Sequence, residues 1–409
     1  MTNAAAVDPG LVLEGIRVLE VAEYGVGPSC GATLSDWGAD VVKVERFAGD
    51  PVRIASMTGA APLAGGFDML TDLINRNKRS VALDLYSPAS REPFERLVRW
   101  ADVFVTAFMP RTREHLKVNP EDIFAINPTI VYARATGQGA QGPDTDQRAF
   151  DASAFWARSG LAWCHSPPDG PVTMPRPATG DLATGAHLAG GVAAALVRRL
   201  RTGQGGIVDG SLLATAVWML GVDIGTTSVR GRNPYRANVG KSMRNPLLGP
   251  FTTADGRWLN LAMFQSQRDW PQFCRVIDHP ELEHDERFAT AENRTENRDE
   301  LHKIVWEALA SRELSHWRTA LTEADINWAP VAEPIEVLSD PQVVANGYTL
   351  AHPNNPDCRL SATPVQFDET PITCRTPAPR VGAHTDEVLS ELGYDDDAIA
   401  ALRAAEAVR

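Results

Sequence analysis

The 409-residue sequence predicts an α/β fold with a doubly wound parallel sheet. Two observations carry this. A strand, a glycine-bearing turn, a helix and a second strand follow one another over residues 16–45, and strand and helix candidates then alternate as far as residue 134. A third observation, the change of pattern after residue 201, predicts a second and smaller domain.

Ile16–Val21 is an apolar run of strand length, and Ala39–Glu45 is another. Between them lie the turn Tyr24-Gly25-Val26-Gly27-Pro28 and a helical stretch to Trp37, ended by Gly38. Two strands joined through a helix are parallel, with a right-handed crossover. Further strands are predicted at 80–85, 103–106 and 130–134, separated by helices such as 88–100. Alternation of this kind belongs to a sheet covered on both faces. A long helix is predicted over 182–201 and a second apolar one over 208–220. Residues 228–246 read as a loop carrying Arg230, Arg232, Arg236, Lys241 and Arg244, a solvated basic linker or else an arm for a substrate carboxylate. A hairpin is expected at 253–257, followed by acidic, Trp-bearing helices. The proline-rich end reads as an extended wrapping segment with one helix at 385–392. The predicted divisions are 1–225, a linker at 226–246, a small domain at 247–330, and a final segment, 331–409, returning to the large domain.

Composition narrows the function. A net charge of -13 with no basic run argues against nucleic acid as a partner. Five widely spaced cysteines without a C-x-x-C pair argue against a disulfide framework or a structural zinc site. The first residues lack a basic region followed by an apolar one, and the apolar stretch 207–222 is interrupted by Asp209 and too short to span a bilayer. A cytoplasmic protein without a membrane segment is the expectation. Walker A and H-E-x-x-H signatures are absent, and the nine histidines are scattered, so no metal is implied.

Two local patterns invite chemistry. Gly25-x-Gly27 after a strand suggests a dinucleotide turn, but the third glycine, Gly31, comes one position late and Pro28 removes an amide that a phosphate would use. A tight strand-to-helix turn explains the same residues. Thr179-Gly180-Asp181 precedes the long helix. Asp181 suits a helix N-cap, and it equally suits a nucleophilic carboxylate kept ionised by the positive end of the helix. Spacing alone leaves both open.

Ordered matches along the chain settle on a family. They are Leu13 to Glu20, Gly27-Pro28, Gly38 to Arg46, Asn75 to Leu85, Thr179-Gly180-Asp181, Thr202-Gly203-Gln204-Gly205, Val208 to Ser211, Trp328 to Val331, Asp340-Pro341-Gln342 and Gly382 to Leu389. With these the chain resembles the family III CoA transferases of the CaiB/BaiF group, which includes formyl-CoA and carnitine CoA transferases and the α-methylacyl-CoA racemases.

The resemblance implies a Rossmann-like large domain built from both chain ends, a smaller inserted α+β domain and an interlocked homodimer. It implies that Asp181 attacks an acyl-CoA carbonyl, forming a mixed anhydride and then an aspartyl-CoA thioester that passes CoA to an incoming acid. Coenzyme A, as the acyl-CoA substrate, is the implied ligand, with a carboxylic acid as second substrate. The implied CoA contacts are Tyr24, Gly25, Val26, Arg46, Leu83, Phe108, His115 and Arg148, and backbone amides around Gly25–Gly27 are the implied oxyanion donors. Residues 43–79, with six basic and four acidic side chains, add a locally positive stretch for an anion. Tyr86 in place of lysine, Ala107 in place of asparagine and the missing glycine-rich loop separate the chain from the oxalate-specific members.

Three other functions fit the sequence less well. The racemase branch needs a histidine before an aspartate, where this chain has Phe150-Asp151, and phenylalanine exchanges no proton. A non-catalytic CoA-binding paralogue sits poorly with an intact Asp181. A nicotinamide dehydrogenase sits poorly with the late glycine and Pro28.

Overall fold

The computed structural model describes residues 10–55, 59, 68–233 and 245–409. The chain divides into two compact units. The first holds the described residues of Met1–Ala162, Met174–Gly225 and Leu338–Arg409, and the second those of Trp163–Thr173 and Thr226–Val337. Both ends of the chain therefore lie in one unit. Relative to the sequence divisions, residues 163–173, the described residues of the 226–246 linker and residues 331–337 group with the second unit.

The first unit is built on six strands: β1 (Arg17–Val21), β2 (Asp40–Glu45), β3 (Lys78–Ala82), β4 (Val103–Thr106), β5 (Val131–Thr136) and β6 (Gly206–Ser211). Their order is β3-β2-β1-β4-β5-β6 and every pair is parallel. Central strands of such a sheet are covered on both faces and read as unbroken apolar runs. Leu19 of β1 is accordingly paired with Val42 on one side and Phe104 on the other, all three fully buried. The helix α1 (Val26–Asp36) follows β1 and is buried along its whole length. The strand order reverses between β1 and β4. Crevices at such reversals, outside the carboxyl ends of the strands, are where open α/β sheets hold ligands.

The long helix Thr179–Thr202 is apolar and long enough to cross a bilayer by composition alone, yet it packs on α1, β5 and β6. The final segment returns to the sheet. Val388, Leu389, Ile399 and Val408 join the same core as Leu19 and Phe104, and the backbone of Ala407 and Arg409 bonds to Asp84 and Ala82 beside β3.

The second unit has its own core and a three-stranded antiparallel sheet, β7 (Leu248–Thr252), β8 (Trp258–Ala262) and β9 (Trp328–Pro330). The expected hairpin joins β7 to β8, closed by the Thr253 amide donating to the Arg257 carbonyl at 2.9 Å.

Four expectations are corrected. The strand placed at 80–85 lies at Lys78–Ala82. The helix placed at 208–220 is β6 followed by a helix at Leu212–Met219. Its start is set by the Ser211 hydroxyl, which caps it by accepting from the Ala214 amide at 3.0 Å. The loop placed at 228–246 begins inside a helix, Gly221–Arg230, while Arg236, Lys241 and Arg244 lie outside the described residues. The final segment is less extended than expected. It contains a hairpin of Thr349–His352 with Asn355–Ser361, and a last helix, Asp396–Ala404, beyond the expected one at Thr385–Glu391.

Candidate active site

The turn between β1 and α1 is held in an uncommon shape. Tyr24 has φ +66°, a conformation that costs a non-glycine residue about 1–3 kcal/mol unless its surroundings enforce it. Its amide donates to Asp50 Oδ1 at 2.9 Å. Next in sequence, Gly25 lies so close to the Asp181 carboxylate that a methyl group there would overlap it. Pro28 sits in the first turn of α1, where a helix has no acceptor for the missing amide. The tight-turn explanation of Gly25–Pro28 is the one realised. In that first turn the amides of Val26 and Gly27 have no intrahelical acceptor.

Asp181 is not the N-cap. The helix starts at Thr179 behind Ala178, whose φ is +60°, and Asp181 is its third residue. The capping is done from elsewhere in the chain by Asp151, which opens a π-helical turn, Asp151–Ala157, and accepts the Gly180 amide on Oδ1 at 3.0 Å. Gly180 permits this approach, since a methyl group there would strike Asp151 and Phe155. With the cap filled, the Asp181 carboxylate is half-buried and accepts no hydrogen bond from another described residue. Desolvation, reinforced by the nearby Asp151 charge, pushes its pKa up to about 7. The Asp151 carboxyl is raised too, by burial, against the opposing pull of the Gly180 and Thr179 amides. Asp151 Oδ2 is buried without a partner.

A cleft of about 450 Å³ opens at the carboxyl ends of the strands. Val21 ending β1, Arg46 after β2, Leu83 after β3, Ala107 after β4 and Thr136 ending β5 all line it. Of the residues singled out from the sequence, Tyr24, Arg46, Leu83, Phe108 and Arg148 line this cleft together. Arg148 is exposed and forms no ion pair with another described residue, whereas Arg46 is 3.3 Å from Glu23. The Tyr24 and Phe150 rings meet edge to face, 5.3 Å apart, at the rim. The other expected contacts lie elsewhere. Gly25 is beside Asp181, Val26 is buried at the start of α1, and His115 is exposed with its ring 5.2 Å from that of Tyr86, which lines the cleft.

The local positive stretch at 43–79 is not an anion-binding surface. Lys43 and Lys78 are buried against Glu20, Arg53 pairs with Glu45, Arg76 with Asp36, and Arg79 with Asp40. Only Arg46 of the six cations faces the cleft. Linear charge counting fails here because the partners of these cations lie on other strands and helices.

The model of CoA-transferase family III matches residues 13–385. An (R)-2-hydroxy-4-methylpentanoate CoA-transferase from Clostridioides difficile is 31% identical over 401 residues, covering 98% of this chain and all of the relative. A succinyl-CoA:glutarate CoA-transferase from Homo sapiens is 31% identical, covering 97% of this chain and 90% of its own. Among solved structures, a CaiB/BaiF family protein from Brucella suis superposes with a TM-score of 0.81 at 26% identity, over 94% of this chain and 100% of that one. An α/β chain with a six-stranded parallel sheet, a cleft at its switch point and full-length similarity of this kind is an enzyme that belongs to CoA-transferase family III.

Proposed function

We propose that the protein moves CoA from an acyl-CoA to a carboxylic acid through covalent intermediates on Asp181. The observation that carries this reading is the uncommitted Asp181 carboxylate, freed from capping by Asp151 and set against the Gly25 backbone. In the first step a carboxylate oxygen attacks the thioester carbonyl, the C–S bond breaks and CoA leaves as thiolate, giving an anhydride. The thiolate then attacks the aspartyl carbonyl, releasing the first acid as carboxylate and leaving an aspartyl-CoA thioester. The acceptor carboxylate repeats the sequence in reverse. No net proton or electron is needed at any stage. A carboxylate is a weak nucleophile, and desolvation together with a placed oxyanion donor makes it adequate. The free first-turn amides of Val26 and Gly27 are the proposed donors.

The CoA moiety is assigned to the 450 Å³ cleft, with Arg148 and Arg46 toward its phosphates and Leu83 and Phe108 as apolar walls. A homodimer is part of the proposal. Leu200, Trp218 and Val222 of the first unit are at least 75% exposed, and a partner subunit would cover such side chains. Racemisation is the weaker reading, because Phe150 offers no proton-transferring group before Asp151. A transfer screen over acyl-CoA donors and acid acceptors tests the proposal. Wild-type protein should transfer CoA and Asp181→Ala should fall to background; a variant with full turnover removes the mechanism.

A further inference from the structure

The turn that faces Asp181 is anchored from below by charges sealed from solvent. Lys43 Nζ donates to Glu20 Oε1 at 2.8 Å, to Asp50 Oδ2 at 2.9 Å and to the Ala22 carbonyl at 3.1 Å. Asp50 Oδ1 accepts the Tyr24 amide at 2.9 Å and the Val52 amide at 3.0 Å. Lys78 Nζ bonds the other Glu20 oxygen at 2.7 Å and the Pro28 carbonyl at 2.8 Å. Glu20, Lys43, Asp50 and Lys78 are each at most 3% exposed. None of the four lines the cleft.

This cluster therefore grips the backbone on both sides of Gly25, at Ala22 and Tyr24 before it and at Pro28 after it. The grip matters most at Tyr24, whose left-handed φ is disfavoured for a tyrosine and is met by an outside acceptor. The next residue, Gly25, is the one in contact with the Asp181 carboxylate.

We infer that Asp50, set by Lys43, is a positioning residue for the Asp181 reaction. It fixes the Tyr24–Gly27 backbone against the nucleophile and touches neither substrate itself. The inference rests on the transfer reading above. Asp50 is thereby separated from a purely structural role, because a loosened turn misplaces the reacting groups while leaving Arg46, Leu83, Phe108 and Arg148, the assigned CoA contacts, in place.

Steady-state transfer kinetics and CoA-binding calorimetry on Asp50→Ala and Asp50→Asn, beside wild type and Asp181→Ala, test it. In Asp50→Ala, kcat should fall about a hundredfold, the size expected for reacting groups displaced by about 1 Å, with CoA affinity within about threefold of wild type. Asp50→Asn keeps an oxygen for the Tyr24 and Val52 amides but turns an NH2 toward the Lys43 ammonium, so its kcat should lie between those of Asp50→Ala and wild type. Equal kcat in Asp50→Ala and wild type, equal losses in kcat and CoA affinity, or no recovery in Asp50→Asn would each overturn the inference. Hydrogen exchange of the wild-type Tyr24 amide does not depend on whether a variant folds. Slow exchange, as for the amides of β1, is expected, and exchange at the rate of an open loop contradicts it. If wild-type protein transfers no CoA, or Asp181→Ala keeps its turnover, the transfer reading itself fails. If both hold and Asp50→Ala is unchanged, only the positioning inference fails.

Discussion

In the proposed mechanism only the charged Asp181 carboxylate attacks, so its protonation would set the acid limb of the rate. Its pKa is raised to about 7, and kcat/KM should rise with pH up to about that value. Asp151→Asn removes the like charge but keeps an oxygen for the Gly180 amide. The limb should then move toward lower pH. Because desolvation is the larger cause, it should still lie above the usual aspartate range. A pH–rate profile of the two proteins checks this, and an unmoved limb would show that Asp151 does not act on Asp181. Gly25→Ala places a methyl on the carboxylate, and assay with saturating acyl-CoA should find turnover lower by about a hundredfold. Asp181 was visible in the sequence as a Gly-Asp pair opening a helix. Its freedom from capping was not, since the residue that takes the cap lies 30 positions earlier in a turn with no sequence signature.

Among elements, β1, α1 and β2 were legible because buried parallel strands are continuous apolar runs of the right length. β6 was not. Its residues alternate between partial burial and exposure, and it passes at Ser211 directly into an apolar helix, so the two merge into one helical pattern. The joints between elements are equally hidden. Arg76, just after the helix Met69–Asn75, meets Asp36 at the end of α1 through Nε at 3.1 Å and a terminal nitrogen at 2.6 Å, with both side chains at most 1% exposed. Arg76→Met leaves Asp36 with the Asn77 amide and Thr363 hydroxyl alone. Breaking one side of such a buried pair should cost about 3–5 kcal/mol, measurable by denaturant unfolding. A loss within error would mean that the other two donors suffice.

For the molecule as a whole, the return of the C-terminal segment to the first unit was implied by resemblance and not by any local pattern. Its last residues pair with the chain just after β3: Val408 bridges Leu83, and Asp84 donates to the Ala407 carbonyl at 3.0 Å. Leu83, Asp84 and Leu85 line the cleft. Removing residues 396–409 strips buried Ile399 and Val408 from the core, each worth about 1.5–3 kcal/mol. Thermal melting should fall and CoA binding should weaken together, and unchanged calorimetric affinity would detach this segment from the cleft. Covalent transfer through Asp181 is the step on which the proposed function depends. Peptide mass spectrometry after mixing the protein with acyl-CoA alone is the most direct measurement. The Asp181 peptide should carry CoA less one water, with one equivalent of acid released per occupied site. An unmodified Asp181, or an adduct on any other residue, in protein that still transfers CoA would contradict it.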